Sequence, residues 1–322
     1  MNTAAPAPAS RERIGLILAL CAATLFSTKP ILIKWLYELG VDTLPLMWLR
    51  LSIALPFYLV IGYVALLKMK QRPTLAAIGR AALVGILGYY LASLLDLLGL
   101  QYVSAQLERL VLYAYPSLVV LLGIVFFGQP FRRAILLPLA ITYAGLLFMY
   151  GNDLSMVSRE VSRDTAMAFA NNTAELIQGT LLVIGSALSF ALYLLLSKRR
   201  IAELGSVMFT SVAMTSATLA TLINNSLTSI IEGQPLDLLP DYSQTVWLGV
   251  LALAILATVI PSFLVSTAIA RIGPEKTSMS GTLGPVTTTL LAVWLLDEPL
   301  SLYSIAGMVL VVFGVWKLSK VK

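Results

Sequence analysis

Apolar residues run along this chain in long blocks, and polar residues gather between the blocks rather than alternating within them. The blocks are roughly 20 residues long, the length an α-helix needs to cross ~30 Å of hydrocarbon. The pattern predicts ten spans, over 14–36, 44–67, 79–100, 104–127, 132–150, 177–197, 205–225, 245–270, 275–296 and 300–316. A membrane barrel would need alternating segments of about ten residues, and the chain has none.

Lys and Arg set the direction of each crossing, because basic loops stay on the cytoplasmic side. With the N-terminus inside and strict alternation, sixteen Lys and Arg fall on the inner side and only Arg159 and Arg163 on the outer side. A missed span would scramble that bias. Both termini are therefore expected in the cytoplasm and the protein in the cell (inner) membrane.

Displacing the chain by 169 residues places Pro116 on Pro285, Pro130 on Pro299, Gly145 on Gly314 and Ser93 on Ser262. A displacement of 164 places Phe26 on Phe190 and Lys34 on Lys198. Two related halves of five spans each follow. Five is odd, so the second half enters the bilayer from the opposite side. The fold expected is an all-α membrane protein of ten transmembrane helices, built as two inverted five-helix repeats. The expected divisions are a disordered tail at 1–12, a first repeat at 13–150, an extracytoplasmic loop at 151–176 and a second repeat at 177–319. Inverted repeats suit carriers that open alternately to two sides around a midplane site.

Composition narrows the function. Of 322 residues, 58% are hydrophobic and 12% charged, against about 25% charged in a soluble domain. With no histidine and one cysteine, Cys21, a Cys/His metal site and an internal disulfide are excluded. The net charge of +6 is spread over helix ends, which is not a nucleic-acid patch. No Walker loop and no paired nucleophile and base occur, so no catalytic residue, cofactor or metal is expected, and transport would be driven by a gradient. The partners expected are a small-molecule substrate, membrane lipid and, for coupling, protons carried on a carboxylate. The assembly expected is a monomer or homodimer.

Three features resemble the EamA-type branch of the drug/metabolite transporter superfamily. They are the PLMWLRLSIAL stretch of span two with Arg50, the Pro116/Pro285 pair in spans four and nine, and the GQP and DEP steps opening spans five and ten. The resemblance covers about 14–150 and 177–319. It implies export or import of amino acids, other metabolites, nucleotide sugars or drugs through a cavity between the halves. Glu108 and Arg109 depart from the small residues frequent at that place.

Charges inside the spans are the sharpest chemical signal. Lys29, Lys34, Arg50, Asp96, Glu108 and Arg109 all fall in first-half spans. A charge at the helix centre costs about 2.5–3.5 kcal/mol on insertion scales, so each should face the bundle interior and find a partner. Pairing of Glu108 with Arg50 and of Arg109 with Asp96, or the reverse, is expected. Such charges either lock helices together or cradle a zwitterion, with a guanidinium for its carboxylate and a carboxylate for its ammonium.

Tyr89, Ser93 and Asp96 share a stripe of span three, and Arg109, Tyr113 and Pro116 a stripe of span four. Ser278, Thr282 and Pro285 are their counterparts in span nine, and Tyr193 lies on span six. These stripes read either as cavity lining or as ordinary helix packing. Pro116 and Pro285 are candidate helix breaks. A cavity lined by spans one, three, four, six, eight and nine is expected. The leading function is a secondary transporter of a small polar metabolite, an amino acid or related zwitterion, in the export direction. The alternatives are efflux of lipophilic cations and a non-transporting receptor or scaffold.

The topology has a direct test. Single cysteines replacing Arg72 and Asp241, in a Cys21→Ala background, should be labelled from opposite faces of sealed vesicles. Labelling of both from one face would overturn the ten-span reading.

Overall fold

The computed structural model describes residues 8–69, 71–112, 114–128, 131, 133–160, 166–232, 240–280, 284–297 and 300–320. Among them the chain is helical and contains no strand. Seven stretches are long and apolar enough to cross a membrane, the first Glu12–Glu38 and the last Gln244–Ser280. Arg133–Phe148 and Leu302–Leu318 are shorter apolar helices. Large apolar side chains face outward along these helices, Leu83, Ile223 and Leu290 among them. Water would not tolerate that surface, and lipid tails do.

The first span is two helices, α1 (Pro8–Ser27) and α2 (Lys29–Glu38). Pro30 lacks the N–H that would continue the ladder, and Thr28 turns back on its own helix by donating to Leu25 O at 2.8 Å. α1 begins inside the stretch read as a tail. Gly40, at φ +83°, lets the chain reverse directly into α3 (Thr43–Lys68). The third span is α4 (Leu75–Gly85), a π-type turn at Ile86–Leu91 and α5 (Ala92–Leu100). The fourth divides into α6 (Ala105–Leu112) and α7 (Tyr115–Phe127). Pro116 sits in the first turn of α7, where its missing N–H costs nothing. Pro116 thus marks a helix break, not a bend in a continuous helix.

α8 (Leu136–Glu160) and α9 (Ala166–Leu204) run through most of the stretch 151–176. The long loop expected there is helix, apart from 161–165, which lie outside the described residues. α10 (Ser206–Glu232) follows. The eighth span is α11 (Gln244–Ala254), a π-type turn at Ile255–Val259 and α12 (Ile260–Ser280). α12 is broken at Gly273, whose φ of 79° only glycine adopts easily, with Pro274 starting the next piece. That break is the boundary between predicted spans eight and nine. α13 (Gly284–Leu295) and α14 (Leu302–Ser319) complete the chain.

Packing follows the duplication. α3 packs on α10 and α8 on α14, each joining equivalent spans of the two halves. α1 packs on α12, and α5 on α9, so span one meets span eight as span six meets span three. The two π-type turns stand 169 residues apart at their starts, the offset of the proline pair. The duplicated glycines serve one close crossing. A side chain on Gly145 would run into Gly307 O, and one on Gly314 into Thr142 and Pro138 O, both across the α8–α14 contact.

Gly85 permits a similar approach, since a Cβ there would overlap the Ala213 backbone of α10. Gly79 faces open space. Gly85→Val should lower the melting temperature in detergent, at a cost of about 1–3 kcal/mol or more from overpacking. Gly79→Ala should leave it unchanged or raise it. Equal melting temperatures for the two variants would contradict the packing.

Candidate functional site

The helix break of the first span opens a space beside α3, α5 and α9. A cavity of about 110 Å³ lies there, with Lys29, Arg50, Tyr89, Ser93 and Asp96 in its wall. Phe26, Tyr115, Phe190 and Thr258 complete much of the remainder. Spans one, two, three, four, six, seven and eight contribute. Spans two and seven enter through Arg50, Leu51 and Met214, where the stripe analysis had not placed them.

Lys29 Nζ donates to Asp96 Oδ2, and both groups are nearly enclosed. Lys29 is the first residue of α2, so the bend of span one sets its long stem toward α5. Farther along, Tyr37 fastens α2 to α5, and Gln101, just past α5, reaches α3. Tyr37 Oη donates to Leu97 O at 2.9 Å, and Gln101 Nε2 to Thr43 Oγ1 at 2.7 Å.

Among the described residues the ion pair expected of Arg50 is not closed into a salt-bridge contact, although Asp96, one of its two expected partners, acts on it electrostatically. Arg50 is 3% exposed, and among the described residues its guanidinium meets no carboxylate. Its Nε has no hydrogen-bond partner. Helical periodicity could place these charges at one depth but could not choose among partners on three helices. Glu108 is buried on α6 and does not line the cavity. Tyr113 and Thr282 lie outside the described residues, as do the side chains of Arg109 and Pro285, so the Arg109 pairing falls there too.

Serine hydroxyls of α9 reach backbone carbonyls in and just beyond the π-type turn of the third span. Ser189 Oγ donates to Leu87 O and Ser186 Oγ to Ala92 O, each at 2.7 Å. In the eighth span Thr258 Oγ1 donates to Leu253 O, five residues back, at 2.9 Å. Ser186 makes its bond from the cavity wall, and Ser189 from outside it. Ser278 is also outside the cavity wall. Its hydroxyl donates to Glu275 O, and its carbonyl accepts from Tyr115 Oη at 3.1 Å.

Tyr193 lies just behind the wall. Its Oη donates to Tyr89 Oη at 2.9 Å, and the rings meet edge to face with centroids 4.9 Å apart. Gly88 makes room, because a Cβ there would enter the Tyr193 ring. Tyr193 also stacks between Phe190 and Phe209. Tyr58 shares a hydrogen bond with Ser262 Oγ at 3.0 Å and packs on Phe263. Along α3, α9 and α12 the order is the same: cavity residue, then this tyrosine layer, then basic residues such as Lys68, Lys198 and Arg271. The layer thus stands between the cavity and the basic end of the bundle.

A profile of the EamA-like transporter family matches residues 13–151 and 177–319, the two repeats in turn. The chain belongs to the EamA-like transporter family. It is 27% identical over 304 residues to the uncharacterized transporter YcbK of Bacillus subtilis (strain 168), covering 91% of this chain and 88% of that protein. It is also 27% identical over 307 residues to a WAT1-related protein of Arabidopsis thaliana, covering 91% of this chain and 85% of that one. A solved crystal structure of a protein matches with a TM-score of 0.65 at 19% identity over 95% of both chains, which shows a shared fold. As an EamA-like protein the chain is a multi-pass membrane transporter. The charged cavity at the junction of its repeats is the candidate site.

The Lys29–Asp96 pair should show coupling in a double-mutant cycle. Lys29→Met and Asp96→Leu should each lower thermal stability in detergent, since each strands a buried charge. The double variant should lose less than the sum, by about 0.5–3 kcal/mol. Strict additivity would mean that the contact contributes nothing.

Proposed function

We propose that this EamA-like protein is a secondary transporter that exports a small polar metabolite, an amino acid or related zwitterion, across the cell (inner) membrane. Both termini lie in the cytoplasm, on the side where Lys and Arg concentrate. The ion pair of Lys276 Nζ with Glu12 Oε1, at 2.5 Å, joins the N-terminal end to the start of span nine, in keeping with one shared face. The observation that carries the reading is the charged cavity at the junction of the two repeats.

The halves rock about this cavity and expose it to each side in turn. On this reading the tyrosine layer is the cytoplasmic gate. Loading from the cytoplasm requires that layer to part, at Tyr89–Tyr193 and Tyr58–Ser262. The buried carboxylates, Asp96 on the cavity wall and Glu108 behind it, are the groups available for proton coupling.

Proteoliposomes or inside-out vesicles loaded with a panel of amino acids, under an imposed pH gradient, test this. Flux of at least one polar metabolite above that of protein-free vesicles is expected, together with exchange of labelled for unlabelled substrate. Absence of flux for every polar metabolite would refute the carrier reading.

A further inference from the structure

We propose that this cavity recognises its substrate by a carboxylate held on Arg50, and that a substrate ammonium group is not required. The inference deepens the transport reading and rests on it. Arg50 is buried, lines the cavity, and makes no salt-bridge contact among the described residues; Asp96, the carboxylate that acts on it electrostatically, is held by Lys29. A guanidinium in that position is costly unless an anion reaches it. Its planar fork matches a carboxylate through two parallel N–H···O bonds.

The acid that could have bound an ammonium is already engaged. Asp96 is the acid among the described wall residues, and Lys29 holds it. Lys29 and Arg50 against Asp96 leave the described wall with one excess positive charge, which the buried Glu108 outside the wall offsets only from a distance, through Lys29. A carboxylate neutralises that excess, whereas an amine or a lipophilic cation adds to it. Away from the charges, the wall is aromatic and aliphatic through Phe26, Leu51 and Met214, which suits a short hydrocarbon tail. At about 110 Å³ the space is well below the roughly 300 Å³ at the lower end of drug-sized pockets. The class indicated is therefore a compact carboxylic acid, with or without an amino group, rather than a nucleotide sugar or a cationic drug.

Four matched series separate the possibilities: 2-amino acids, the corresponding 2-hydroxy acids, the amino-acid amides and the decarboxylated amines, each with several chain lengths. Inorganic phosphate serves as the anion control. Thermal shift of the purified full-length protein reads binding, and counterflow in proteoliposomes reads transport. Both acid series should stabilise the protein within a few-fold of one another, and amides and amines should bind on the order of 30-fold or more weakly.

Arg50→Met should abolish the acid-dependent shift and leave the melting temperature of the ligand-free protein unchanged or raised, because it removes a buried charge that makes no ion-pair contact. The proposal is overturned if amines or amides match the acids, if hydroxy acids fail where amino acids bind, if phosphate competes equally, or if no acid binds. It is also overturned if Arg50→Met keeps the shift. An Arg50-dependent shift without counterflow would keep the site and refute transport. Counterflow that ignores the carboxylate would keep transport and refute the site.

Discussion

Five crossings cannot return a chain to the side from which it started, so a duplicated five-helix unit must face its copy upside down. The rest of the molecule obeys that constraint. Equivalent spans meet across the junction, as α3 does α10 and α8 does α14, and non-equivalent contacts occur in exchanged pairs. The π-type turns at Ile86–Leu91 and Ile255–Val259 fall at matching positions, as do the starts of α7 and α13. Symmetry is broken where chemistry is needed. Span one bends at Thr28 to deliver Lys29, whereas its counterpart α9 is continuous and supplies serine hydroxyls and an aromatic ring.

The cavity owes its charge to that broken symmetry. All its described ionisable wall residues, Lys29, Arg50 and Asp96, come from the first repeat. The second repeat closes the space with Phe190, Met214 and Thr258 and, just behind them, Tyr193. A site divided in this way can change its exposure without separating its own ions, since Lys29 and Asp96 move within one half.

Much of this was legible in the chain. Span length and the Pro116/Pro285 register reported the apolar helices and the duplication, because each depends on bilayer thickness or backbone chemistry. Arg50, Tyr89, Ser93 and Asp96 were placed on the cavity by their polarity within apolar helices. The partner of Asp96 was not foreseen, because it depends on the bend at Thr28 and on the reach of a flexible lysine. Ser278 shared a stripe with candidate lining residues yet faces its own helix and Tyr115, since periodicity gives a face but not the neighbour opposite it. The helical course of α8 and α9 through 151–160 and 166–176 contradicts the loop expected from their polarity. Hydropathy marks where a helix leaves lipid, not where it ends.

The π-type turn of the third span has a consequence for how such a site can arise. A π-type turn amounts to one residue inserted into an α-helix, and one residue is worth about 100° of azimuth. Everything beyond Ile86–Leu91, including Ser93 and Asp96, is rotated by that amount relative to an uninterrupted helix. Loss of a single residue there would swing the carboxylate away from Lys29 toward a neighbouring helix or lipid while leaving every charged residue in the gene. The ionic character of the cavity is thus encoded as much in the count of residues between Gly85 and Asp96 as in their identities.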